Sequence, residues 1–185
     1  MLKIVLGTAQ FGLDYGITNI KGKVELEEVI AIKDYALKNG ITMVDTAKNY
    51  GNSERILGNF QSFEIVTKIN LSQISAGNFK PGILLDNIKT SLSNLGRQSL
   101  YALLIHDPVT LLGENKDFFL QELNFVKRTG LVQKYGISVY SPDEVYEITD
   151  QIGIDLVQLP INIFDQRFLN SGCLSYLSQN NIEVH

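Results

Sequence analysis

A single cysteine, Cys173, rules out an internal disulfide framework. With only two histidines beside it, His106 and His185, the chain lacks the donors of a usual zinc cluster, and no metal is expected. Neither charge dominates: 16 Lys and Arg stand against 20 Asp and Glu, for a net charge of -4. That balance gives no reason to expect nucleic acid or an anionic membrane as a partner. No apolar run approaches the roughly 20 residues that would cross a bilayer. The opening stretch, Met1 to Gln10, is too brief for a secretory signal with its cleavage site. Cytoplasm is the expected compartment. Prolines number only 4 and no low-complexity linker interrupts the chain, so residues 1–185 read as one domain. At 185 residues and 44% hydrophobic, that domain is large enough for one sizeable core.

Apolar strands and amphipathic helices then alternate along the chain. Lys3 to Leu6 reads as a short buried strand, followed by a long loop from Ala9 to Lys23. Glu25 to Lys38 has helical periodicity and ends at Asn39-Gly40. Ile41 to Val44 is the second strand, and a short helix capped by Asn52 or Ser53 runs to Leu57. Strands over Phe63 to Thr67 and Leu100 to Ile105 enclose a helix over Ile83 to Leu95. A helix over Asp117 to Arg128 leads to a strand over Lys134 to Ile137. Ser141-Pro142 opens the next helix with a cap and a proline at the first helical position, and it runs to about Thr149. Asp155 to Val157 is a strand, Ile161 to Phe168 reads as irregular, Cys173 to Asn180 as helical, and Ile182 to Val184 as the start of another strand. Strict alternation with short connections predicts a parallel sheet flanked by helices, either a doubly wound open sheet or a (β/α)₈ barrel.

Polar residues at the strand ends choose between the two. Asp45, Lys68, His106, Ser138 and Gln158 each follow or close an apolar run on successive strands. A barrel would bring them to one mouth, whereas an open sheet would spread them along an edge. A carboxylate such as Asp45 at the end of a buried strand needs a cation, and Lys68 is the candidate. Tyr50 lies on the loop after Asp45, near the same mouth. Leu6-Gly7-Thr8-Ala9-Gln10-Phe11-Gly12 fits neither the dinucleotide fingerprint nor a P-loop. Singly, each residue has a plain structural role: an ion pair for Lys68, a satisfied core histidine for His106, backbone satisfaction for Ser138 and Gln158.

In order and spacing, Asp45-x4-Tyr50, Lys68 and His106 resemble the catalytic tetrad of the aldo-keto reductases. Gly7-Thr8, Val44-Asp45-Thr46-Ala47, Thr67-Lys68, Ile105-His106-Asp107, Gly136-Ile137-Ser138 and Val157-Gln158 extend that resemblance over essentially the whole chain. It implies a (β/α)₈ barrel, incomplete here: about six βα units and the start of strand seven, with the C-terminal strands missing as in a truncated member. It implies NADP(H), less often NAD(H), as cofactor, with Gly7, Thr8, Asp45, Ser138 and Gln158 on the cofactor side. It implies a small carbonyl compound as substrate and a monomeric full-length protein. Val139 departs from the Asn usual after that serine, which leaves Ser138 and Gln158 to hold the nicotinamide carboxamide.

The chemistry of these residue types agrees. No side chain is a hydride source, so a nicotinamide must bring one. Tyr50 can donate a proton, and an ammonium from Lys68 is expected to lower its phenol from a pKa of about 10. Asp45 would orient Lys68, and His106 would hydrogen-bond the carbonyl oxygen as charge develops. Two other readings stand beside this one. One is a non-catalytic module that binds cofactor or a partner. The other is a Schiff-base lyase using Lys68 as nucleophile, which the charge of Asp45 disfavours.

Overall fold

The structure, a computed structural model, describes residues 4–74 and 80–185. Lys3 and part of the polar loop before Pro81 lie outside the described residues. Strand β1 (Val5–Gly7) is followed by a single helical turn, α1 (Ala9–Gly12), and by the long helix α2 (Leu26–Lys38). Strand β2 (Met43–Asp45), helix α3 (Ser53–Leu57) and strand β3 (Glu64–Ile69) come next, then α4 (Leu71–Ile74) and α5 (Ile83–Leu95). Strand β4 (Leu100–Ile105) leads through a 3₁₀ turn, Pro108–Leu112, to α6 (Lys116–Arg128). Strand β5 (Val132–Ser138), α7 (Pro142–Thr149), β6 (Leu156–Gln158), α8 (Arg167–Asn170), α9 (Cys173–Gln179) and β7 (Glu183–Val184) complete the order.

Helix α7 starts where the sequence says it should. Ser141 Oγ accepts from the Glu144 amide, and the Glu144 carboxylate accepts from the Ser141 amide, a reciprocal capping box. Helix α3 starts differently. Asn52 is at the cap position but makes no side-chain cap bond, and Ser53 is already helical, with its hydroxyl turned inward. Helix α1 falls in the stretch read as loop, α8 begins in the one read as irregular, and α4 and the 3₁₀ turn fall where no element is read, because one turn is too short to show a period.

The seven strands are all parallel and pair in sequence order, β1 to β7, from Val5↔Met43 to Leu156↔Glu183. Two contacts show that this sheet curls. Gln158 Nε2 on β6 donates to Asp45 Oδ1 on β2 at 3.1 Å. In a flat sheet those strands would stand four spacings of about 4.8 Å apart, roughly 19 Å. Tyr101 on β4 likewise reaches Glu183 on β7 at 2.7 Å. The architecture is an incomplete (β/α) barrel, and among the described residues β1 and β7 are each paired on one side only. No helix of the described residues is long and apolar enough to cross a membrane.

Strand alternation divides the apolar side chains between two cores. Ile65, Leu103, Ile137 and Val157 face outward into the large core under the helices, with Val29, Ile88, Leu123 and Val145 opposite them. Met43, Val66, Ala102, Leu104 and Leu156 face inward and form a small plug. Gly136 belongs to the inward set, and a Cβ there would lie 1.8 Å from the Leu156 carbonyl oxygen. Glycine is what lets β5 and β6 close up at that level.

Below the plug the barrel interior is charged. Lys134 on β5 pairs with Glu183 on β7 and donates to the Tyr101 hydroxyl at 2.8 Å, and His185 Nε2 lies 2.9 Å from Glu183 Oε1. Burial alone would raise the Glu183 carboxyl, but hydrogen bonds from Lys134, Tyr101 and His185 outweigh it and hold the group at about 2. A carboxyl held below its unfolded value of about 4.3 adds stability that is complete above that value and is lost as pH falls toward the folded one. The expected loss is on the order of 2 kcal/mol, discounted from the full shift because part of the pair faces solvent. Urea unfolding between about pH 5 and about pH 2 should show this loss in the native chain and much less of it in Glu183→Gln.

Candidate active site

Asp45, Tyr50, Lys68 and His106 come together at the C-terminal ends of three neighbouring strands and on the loop after the first of them. Asp45 is the last residue of β2, Lys68 the next to last of β3, and His106 the first after β4, with Tyr50 on the loop entering α3. Lys68 Nζ donates to Asp45 Oδ1 at 2.6 Å and to Oδ2 at 2.5 Å, and lies 3.3 Å from the Thr46 carbonyl. The Lys68 side chain is only 2% exposed and that of Asp45 15%. Burial pushes the Lys68 ammonium below its ordinary pKa, and the Asp45 charge and hydrogen bonds oppose that push. An ammonium so buried needs its carboxylate, as the strand-end argument anticipated.

Tyr50 lies over this pair and against the histidine. Lys68 Nζ is 5.2 Å from the centre of the Tyr50 ring, and the Tyr50 and His106 rings meet edge to face with centroids 6.5 Å apart. The ammonium therefore faces the ring. Burial pushes the Tyr50 phenol up to about 12, and the Asp45 carboxylate adds to the rise. This is the reverse of the lowering expected from the sequence. Asp45 matches the lysine charge for charge, so little positive field is left to favour a phenolate. Burial and the Lys68 charge lower the His106 imidazole, which is neutral at ordinary pH. Its Nδ1 is buried without a hydrogen-bond partner among the described residues.

The loop that carries Tyr50 is fixed by three buried hydroxyls. Thr46 Oγ1 donates to Ser53 Oγ at 3.0 Å, Ser53 Oγ donates to the Thr8 carbonyl at 3.0 Å, and Thr8 Oγ1 donates to the Asp45 carbonyl at 2.9 Å. All three residues are fully buried. The Ser53 amide also donates to the Tyr50 carbonyl at 3.0 Å. On the other side, a Cβ at Gly12 would come within 1.8 Å of that same carbonyl oxygen, so only glycine lets α1 close against the loop. Thr46 and Ser53 were not singled out as site residues in the sequence. Their buried role leaves no signal in a stretch that is otherwise polar, Lys48-Asn49-Tyr50-Gly51-Asn52.

Gly7, Thr8, Ser138 and Gln158 line the other side of the mouth. Gly7 is the register partner of Asp45, and Ser138 that of Gln158. Thr8 is not open to the mouth through its hydroxyl, which belongs to the buried set. Gln158 gives its amide nitrogen to Asp45 and keeps its carbonyl oxygen without a protein partner among the described residues. Ser138 is buried, and its hydroxyl is likewise unclaimed there. Val139 points away, into the core under the helices. Two cavities meet at Gly7 and Asp45. One, of about 830 Å³, runs down to Lys134 and Glu183, and the other, of about 500 Å³, runs past Tyr50 to Tyr15.

The sequence model of the aldo/keto reductase family matches residues 3–185. A D-arabinose 1-dehydrogenase from Saccharomyces cerevisiae is 27% identical over 150 residues, covering 76% of this chain and 43% of that protein. The matched stretch thus spans less than half of that curated relative. A thermostable aldo-keto reductase in complex with the inhibitor epalrestat superposes with a TM-score of 0.75 at 23% identity, covering 100% of this chain and 67% of the other. The holo form of an aldo-keto reductase from Bacillus halodurans gives a TM-score of 0.76 at 19% identity, with 98% of this chain and 60% of the other covered. At such identities the superpositions speak for the fold, and the sequence match, running from residue 3 to residue 185, speaks for descent: the chain belongs to the aldo/keto reductase family.

Proposed function

We propose that the protein reduces an aldehyde or ketone to the alcohol with NADP(H) or NAD(H), Tyr50 acting as proton donor. The observation that carries this reading is the convergence of Tyr50, Lys68 and His106 around Asp45. The residues beside them suit a nicotinamide. The free carbonyl oxygen of Gln158 and the hydroxyl of Ser138 offer an acceptor and a donor side by side, the complement of a carboxamide. When bound, the nicotinamide supplies the hydride.

The chain's own residues do the rest. A neutral His106 with its orphan Nδ1 as acceptor carries its proton on Nε2, and that N–H donates to the carbonyl oxygen as negative charge grows there. Tyr50, fully protonated at neutral pH, gives its proton to that oxygen once it has become strongly basic. Lys68, held by Asp45, keeps its ammonium fixed 5.2 Å from the centre of the Tyr50 ring, and so positions the tyrosine. That same grip opposes the Schiff-base reading, which needs an unprotonated amine within reach of substrate.

Oxidation of NADPH or NADH on addition of a short aldehyde tests the reading directly. Cofactor binding without consumption would favour the non-catalytic module. Gln158→Ala should weaken nicotinamide binding by roughly fivefold to tenfold, the size of one lost hydrogen bond, with Val139→Ala unchanged. Dissociation constants in the opposite order would place the carboxamide elsewhere.

A further inference from the structure

Beside the mouth lies a cavity of about 400 Å³ to which the tetrad chemistry gives no role. Lys48, Asn49, Asn70, Gln73 and Asn87 line it, with Lys68 and Ile69, and no carboxylate is among them. The Lys68 ammonium is taken by Asp45. Lys48 Nζ has Asn87 Oδ1 as its hydrogen-bond partner, and among the described residues no carboxylate forms an ion pair with it. Asn87 is itself held in place, its Nδ2 donating to the Ile83 carbonyl at 2.8 Å. The amides of Asn49, Asn70 and Gln73 have no protein partner among the described residues. Asp107 organises the segment beneath them, its carboxylate accepting from the Leu71 amide at 2.7 Å and the Ser72 amide at 2.9 Å. Burial lowers the Lys48 ammonium and the Glu54 charge opposes it, so this cation is partly withdrawn from water without a counterion in contact. One such cation among unclaimed amide donors, with no acid in the lining, is complementary to a compact oxyanion.

We propose that this cavity receives a carboxylate or phosphate group carried by the ligand, with Lys48 as its charge partner and Asn49, Asn70 and Gln73 as donors. The Lys48 amide donates to the Lys68 carbonyl at 3.0 Å, which fastens the cavity to the strand that carries the tetrad lysine. Lys48 and Tyr50 are two residues apart, at most roughly 7 Å of chain. On the reductase reading, from which only the rest of the ligand is inferred, the substrate is a short aldehyde or ketone with a terminal anion.

Two measurements on the whole protein test this. The first is reduction of three aldehydes of matched length, one ending in a carboxylate, one in a phosphate and one neutral. Lys48→Met should raise KM for the charged aldehydes by roughly tenfold and leave the neutral one unchanged. Asn70→Asp, which puts a like charge in the cavity, should act in the same direction, and an unchanged unfolding midpoint verifies that both variants fold. The carboxylate and phosphate arms show which anion the cavity takes. The second is calorimetric titration with succinate and with inorganic phosphate, which needs no turnover. Lys48-dependent binding of either anion without reduction of any aldehyde would uphold the cavity and sink the reductase reading. Equal effects of Lys48→Met on charged and neutral aldehydes, or no binding of either anion to the native protein, would overturn the proposal.

Discussion

Tyr50→Phe should lower turnover by roughly 10²–10⁴-fold, the range attributed to a positioned acid. The substitution removes one oxygen and leaves the ring, so the contacts with Lys68 Nζ at 5.2 Å and with His106 remain. Folding and the affinity for nicotinamide should therefore stay close to native. The loss belongs to the chemical step: without the phenol, the new alkoxide must take its proton from water. His106 would still stabilise the oxygen, which is why some activity should survive. Single-turnover kinetics with saturating cofactor separate the chemical step from binding. Turnover unchanged in this variant would remove Tyr50 from the mechanism.

Asp45→Asn should cost about 3–5 kcal/mol of stability, because it leaves a buried ammonium without its carboxylate. Lys68 is 2% exposed and cannot turn out into water without repacking the mouth. Its pKa, already lowered by burial, falls further once the Asp45 charge that opposes burial is gone. The sign with pH follows. Below the lowered folded value the variant carries the whole penalty. Between that value and the unfolded value of about 10.4 the unfolded chain binds more protons, so stability rises with pH. Denaturant titrations at neutral and alkaline pH should show the gap to the native protein narrowing as pH increases. The double variant Asp45→Asn/Lys68→Met should be more stable than Asp45→Asn alone, since it removes the orphaned charge. A pH-independent deficit would place the cost in packing instead.

What the sequence exposed and what it concealed divide along physical lines. Asp45, Lys68, His106, Ser138 and Gln158 were legible because each interrupts an apolar run at the same strand end. The long helices showed through their period, and Ser141 through its cap. The direction of the Tyr50 shift did not, because it depends on which part of the tyrosine the ammonium faces and on how fully Asp45 matches that charge. Ser53 is a good capping residue by type, yet its hydroxyl goes to Thr8, a partner 45 residues away. The bond between Gln158 and Asp45 joins residues 113 apart, and only the curl of the sheet brings them together. The pairing of Lys134 with Glu183 inside the barrel joins two strands far apart in the chain, and it too depends on the curl of the sheet.

Pairing in strict sequence order has a kinetic side. Each new ladder joins a strand to the one made just before it, from Val5↔Met43 through Val66↔Ala102 to Leu156↔Glu183. Loop entropy grows only logarithmically with loop length, and here the loop to be closed stays one βα unit long from first strand to last. For the six ladders among the described residues, assembly can follow synthesis from the N-terminus, each strand joining the one before it. Asp45, Tyr50, Lys68 and His106 all precede the fifth strand, whereas Ser138 and Gln158 come after them. On such a route Tyr50 and its charged neighbours gather first, and Ser138 and Gln158 are added to a cluster already formed.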